Sequence, residues 1–206
     1  MGFFSKLMGK EERSEADNAI EKIRKIIVDE QFQLDILGPS KSAVFSSYPA
    51  RDQIDHPEGE FGRSASNPIP VNGPIGSVAY LSKLETLDGQ SLFFHRLGSN
   101  NKVDLYESVT MDGKTWEIFC LDMYHSRQSR LAPEGFRLRT SPCQFTGFNQ
   151  FCDKFPYDYE YRKALEKSSG LSFAYASKKL EDIEKISFIR PEEHGLFVRA
   201  LHEALD

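Results

Sequence analysis

The sequence is short of cysteine and tryptophan, and it has no long apolar run. Three cysteines, Cys120, Cys143 and Cys152, are scattered over 206 residues with no C-x-x-C pair. An odd count leaves one thiol over in any disulfide scheme, and no paired-thiol metal or redox motif can be built from it. Three reduced, buried thiols in a reducing compartment is the simpler reading, so we expect a cytoplasmic protein. No apolar stretch approaches the roughly 18 residues that a membrane helix needs. The first ten residues lack the apolar core and small-residue cleavage site of a signal peptide, and Lys6 stands where a myristoylation signal wants Ser or Thr. Also missing are H-E-x-x-H, G-x-S-x-G and calcium-loop patterns. Gly73-Pro74-Ile75-Gly76 has glycines but no lysine, so it reads as a rigid turn and not a phosphate cradle. An excess of positive charge is absent too: 26 Lys and Arg face 31 Asp and Glu, a formal net charge of −5. Duplex nucleic acid or an anionic membrane would reward a basic surface instead.

What is present is aromatic. Sixteen Phe and eight Tyr sit in a chain that is 39% hydrophobic, enough for a sizeable core and weighted towards sheet. The length suits one domain. We expect an α+β domain over 14–206 behind a flexible segment at 1–13, built on a central antiparallel β-meander of four to five strands at about 78–139. Two similar turns, Leu87-Asp88-Gly89-Gln90 and Met111-Asp112-Gly113-Lys114, each follow a threonine and separate apolar runs, a strong hairpin signal. A third turn is expected at Gly98-Ser99-Asn100-Asn101. Val78, Leu81, Leu84 and Leu87 also have helical spacing, but the Asp-Gly turn that follows favours a strand over 77–87.

Around this meander, Ser14 with Asp17 resembles a capping box for an amphipathic helix over 14–30. Phe32, Leu34 and Ile36 alternate with polar residues, which predicts a short strand. Residues 41–48 form another short element, and 49–66, rich in Pro, Gly and acids, is an irregular loop and the one candidate linker. Residues 136–139 predict a fifth strand. Phe145, Phe148, Phe151 and Phe155 recur at three and four, suggesting a helical turn. Helices are expected at 157–167 and 172–186, with a last helix opened by Pro191 and presenting Leu196, Phe197, Ala200, Leu201, Ala204 and Leu205 as its apolar face.

Candidate chemistry is thin. His95 and His125, in and just after predicted strands, could serve as general acid and base, with Arg96, Arg127, Arg130 and Arg137 as an anion clamp. The plainer alternative is a structural histidine in an aromatic core beside a solvated loop. Arg127, Arg130, Arg137 and Arg139 with Phe136 could stack and pair on single-stranded nucleic acid, yet positive and negative residues nearly balance over 91–140. Asp122 and His125 are three apart, and His194 and His202 lie eight apart, roughly 12 Å along a helix and too far to share an ion. We therefore expect no metal and no cofactor. The leading function is a soluble, non-catalytic binding protein whose partner is another protein. The alternatives are an enzyme acting on a phosphorylated or nucleic-acid substrate through His95 and His125, and a peripheral membrane protein using Phe3, Phe4, Leu7 and Met8.

Overall fold

The three long strands of the meander come from apolar runs closed by tight turns. In the computed structural model, which describes residues 15–176, 178 and 180–205, they are β3 (Leu92–Asn100), β4 (Val103–Thr110) and β5 (Trp116–Asp122), paired antiparallel. The β4–β5 turn is built by its own side chains: Thr110 Oγ1 donates to Asp112 Oδ1 and the Gly113 N–H to the Thr110 carbonyl. The same pattern recurs at Thr86, Asp88 and Gly89. Only the glycine of each turn has positive φ, +91° at Gly89 and +80° at Gly113, not both central residues as an Asp-Gly I′ turn would require. The I′-like turn is Asn101-Lys102, φ 47° and 77°, two residues later than the turn expected at 98–101. Gly98 instead sits at a register shift between Arg96 and Gly98.

Two short strands join parallel at the edges, β1 (Ile69–Pro70) on β5 and β7 (Gly147–Phe148) on β3, so the sheet order is β1-β5-β4-β3-β7. The fold is α+β, and its sheet is mixed where a purely antiparallel one was expected. The fifth predicted strand exists as β6 (Phe136–Leu138), but it pairs with β2 (Leu84–Thr86) in a separate two-stranded sheet.

Several expected strands are helices. Residues 77–83 belong to α4 (Gly73–Lys83). Pro74 stands at its first turn, where a missing N–H costs nothing, and Gly73 has φ +79° with the Phe45 ring 3.2 Å from where a Cβ would lie. Gly76, Ser77, Ala79, Tyr80, Leu81 and Ser82 are buried, so the helix lacks the polar face that periodicity needs. Phe32, Leu34 and Ile36 lie on α2 (Glu30–Ile36), not on a strand. Asp29 caps it by accepting the Phe32 N–H at 2.9 Å, and the Gln33 side chain donates to the Ile26 and Ile27 carbonyls at the end of α1 (Glu15–Val28). The 41–48 element is α3 (Pro39–Ser46). Ser14, the expected cap of α1, and the 1–13 segment lie outside the described residues.

Each face of the sheet buries its own layer. Phe94, Tyr106, Phe119 and Leu121 pack on Tyr80 and Leu81 of α4, and Ile23, Ile26 and Ile27 of α1 pack behind α4 on Ala79. On the other face Leu97, Leu105 and Cys120 meet Val198, Leu201 and Leu205 of α7 (Glu192–Leu205). At about 1.5–3 kcal/mol for each large apolar side chain taken out of water, these two interfaces dominate stability. Leu196 and Phe197, expected to form the apolar face of α7, are 54% and 57% exposed. The 145–155 stretch is no helical turn: Gly147 lies so close to the Phe94 carbonyl oxygen that a methyl group there would overlap it, which fixes the segment as strand beside β3. The helix at 157–167 is α5 (Tyr159–Ser169). Among the described residues of the helix expected over 172–186, only α6 (Leu180–Glu184) is helical, and Phe173 instead bridges Phe145.

Candidate functional site

His95 lies mid-β3 opposite Glu107 of β4, and both side chains are almost wholly buried, 1% and 0% exposed. The Cys152 N–H donates to His95 Nδ1 at 3.0 Å. That nitrogen is therefore the acceptor, and the ring proton sits on Nε2, which donates to Glu107 Oε2 at 2.8 Å. Burial, only partly offset by the Glu107 hydrogen bond and charge, holds His95 below the usual histidine range. A neutral imidazole stacked on Phe155, 4.3 Å between ring centroids, with both nitrogens committed, has no lone pair to offer a substrate.

Glu107 is the hub. It also accepts from Arg190 Nη2 at 2.9 Å and from His194 Nε2 at 3.1 Å. Burial pushes its carboxyl up, but the hydrogen bonds of His194 and His95 and the charge of Arg190 outweigh that, and the net shift is down. The hub ties the C-terminal helix to the sheet. Beside it lies a cavity of about 250 Å³ lined by His95, Glu107, Cys152, Arg190, Arg199 and His202, among others. His202 stacks on Phe151 and meets the Leu97 carbonyl through Nδ1 at 3.0 Å. Carboxylates and guanidiniums both line this cavity, and burial pushes the Cys152 thiol up, away from a reactive thiolate.

His125 is elsewhere. Its Nε2 meets Asp122 Oδ2 at 3.1 Å and its Nδ1 the Pro49 carbonyl at 3.2 Å, so it fastens the 49–66 loop to the end of β5. Glu107 pairs with Ile118, four residues before Asp122, which puts about 13 Å of strand between the two histidine sites. The structure does not bring His95 and His125 together. The arginines do not gather around either one. Arg96 pairs with buried Asp104 at 3.0 Å. Arg127 pairs with Asp52 at 2.6 Å, and Arg130, exposed, gives its backbone N–H to the same carboxylate. Arg137 binds Glu85 at 2.7 Å. Arg63 holds Glu117 in a two-point contact at 3.0 Å, a further tie on the loop. Among the described residues no group of His, Cys, Asp and Glu could hold a metal ion, and no helix is long and apolar enough to cross a membrane.

A second concavity is apolar. It measures about 360 Å³, within the roughly 300–1,000 Å³ of small-molecule sites. Ile26 of α1, Ile75 and Val78 of α4 make one wall. Phe145, Phe148 and Phe173 make the other, and α5 closes it with Tyr161 and Leu165. Behind the aromatic wall the buried Arg162 guanidinium sits 4.5 Å from the Phe93 ring centroid and 5.4 Å from that of Phe148. It donates to the Thr146 carbonyl at 2.8 Å and to Asp158 at 2.9 Å, which pins the strand carrying the wall. The recurring phenylalanines were the one sequence signal of this pocket; Arg190 and His194, the partners of Glu107, gave none.

Comparisons with protein-family models, with curated proteins and with solved structures found no match.

Proposed function

We propose that this chain is a non-catalytic binding protein whose ligand site is the apolar pocket between α1, α4 and α5. The observation that carries the reading is the lining itself: aliphatic residues facing aromatic ones around about 360 Å³, an arrangement suited to holding an apolar body out of water. The commitment of both His95 nitrogens to Cys152 and Glu107 supports a structural rather than an acid–base role for the buried polar cluster. Three unpaired cysteines support a reducing, cytoplasmic setting.

The test is a fluorescence titration with the neutral probe N-phenyl-1-naphthylamine. Binding should saturate with a Kd on the order of 10–100 µM, from about 0.3–0.4 kcal/mol per non-hydrogen atom. Leu165→Trp, which fills the pocket from half-buried α5, should weaken it by roughly fivefold or more, the loss of a few buried methylene contacts. Saturable binding that ignores Leu165→Trp, or no binding at all, overturns the reading.

A further inference from the structure

We infer that the apolar pocket selects uncharged molecules that carry one hydrogen-bond acceptor on an apolar body, a neutral lipid-like alcohol, ketone or ether and not a fatty acid or an amine. The inference rests on the pocket being the ligand site. Among the described residues that line it, none is Lys, Arg, His, Asp or Glu. A carboxylate or ammonium placed there would lose its hydration with no counter-charge to replace it. Arg162, the nearest buried cation in the chain order, stands behind the Phe148 ring with Asp158 already paired to it at 2.9 Å, so it offers no net charge to an anion.

Two of the polar groups that line the pocket can donate. Asn149 receives the Tyr106 hydroxyl on its Oδ1, which leaves its amide N–H groups as what it has to give. Tyr161 lines the pocket beside Phe148, its ring edge-on at 4.8 Å between centroids, and its hydroxyl has no hydrogen bond among the described residues. Burial pushes the Tyr161 pKa above the usual phenol value, so the O–H stays a donor at neutral pH. Two donors in an uncharged, aromatic-walled pocket fit a carbonyl, ether or hydroxyl oxygen. Gln150, exposed beside them, can accept from a ligand hydroxyl in return, so an alcohol can be met on both counts.

The experiment displaces bound N-phenyl-1-naphthylamine from the full chain with 1-decanol, decanoate and decylamine at pH 7.5. Decanol should displace it at a roughly tenfold lower concentration than either charged compound, because only the charged ones must be desolvated without a partner. Tyr161→Phe should weaken decanol by roughly threefold to tenfold, one neutral hydrogen bond, a larger factor than any change in the affinity of the probe, which has no good acceptor. Decanoate or decylamine displacing as well as decanol overturns this inference while leaving the pocket as a binding site. Failure of the probe itself to bind overturns the binding-site reading instead. The ranking of the three compounds needs no variant, so it decides the matter even where Tyr161→Phe does not fold.

Discussion

At the scale of single residues, the buried charges of this protein fasten elements together. Glu107 joins β3, β4 and α7 through His95, Arg190 and His194. Removing one member of such a cluster leaves the others desolvated, so Glu107→Ala should cost about 3–5 kcal/mol of stability in urea denaturation. A loss under about 1 kcal/mol would mean that the hub carries no structural weight. The cluster also sets a pH dependence. His95 is held below its ordinary 6.5 in the folded chain, so the unfolded chain binds more protons in that window. Its contribution is then complete above about pH 6.5 and is lost as the pH falls below it. Glu107 is held below its ordinary 4.5, so its contribution is present above that value and lost as the pH falls further. Denaturation midpoints measured between pH 7.5 and 5 should therefore decline, and His95→Gln, which cannot titrate, should flatten the decline near pH 6. An equally steep profile in the variant would place the titrating group elsewhere.

At the scale of elements, tight backbone contacts decide what forms. Lys102 holds φ 77° in the β3–β4 turn, a conformation that costs a residue with a Cβ about 1–2 kcal/mol. Lys102→Gly should raise stability by about 1 kcal/mol in the same urea assay, and no gain would show that the turn is not strained. Gly147 is the opposite case. Its Cα faces the Phe94 carbonyl too closely for a methyl group, so Gly147→Ala should cost about 1–3 kcal/mol, as overpacking does, and should loosen the edge strand that carries Phe148. Calorimetry would read both. These elements also explain what could be read in advance. The meander was legible because its apolar runs are separated by turns that repeat Thr-x-Asp-Gly. α4 was not, because a helix buried on nearly every side carries no polar face, and the turn after it pulled the reading towards strand. α2 was hidden by a chance alternation of Phe32, Leu34 and Ile36 that the Asp29 cap overrides. His95 could be picked out as an interior residue worth attention, but its role could not. Arg190 and His194 reach Glu107 from 83 and 87 residues away, a separation no local pattern encodes.

At the scale of the whole molecule, two concavities among the described residues differ in character. One, about 250 Å³, is lined by charged side chains of both signs and built around a histidine with no free nitrogen. The other, about 360 Å³, is apolar and uncharged. The second is the ligand site we propose, with Arg162 and Asp158 as the support behind its aromatic wall. The most direct test is an NMR map of backbone amides of the full chain during titration with N-phenyl-1-naphthylamine. Saturable shifts should centre on Gly147, Asn149, Gln150, Leu165 and Leu171, with Cys152, Arg199 and Glu203 unmoved. Shifts centred on Cys152, Arg199 and Glu203, around the polar cavity, would contradict it.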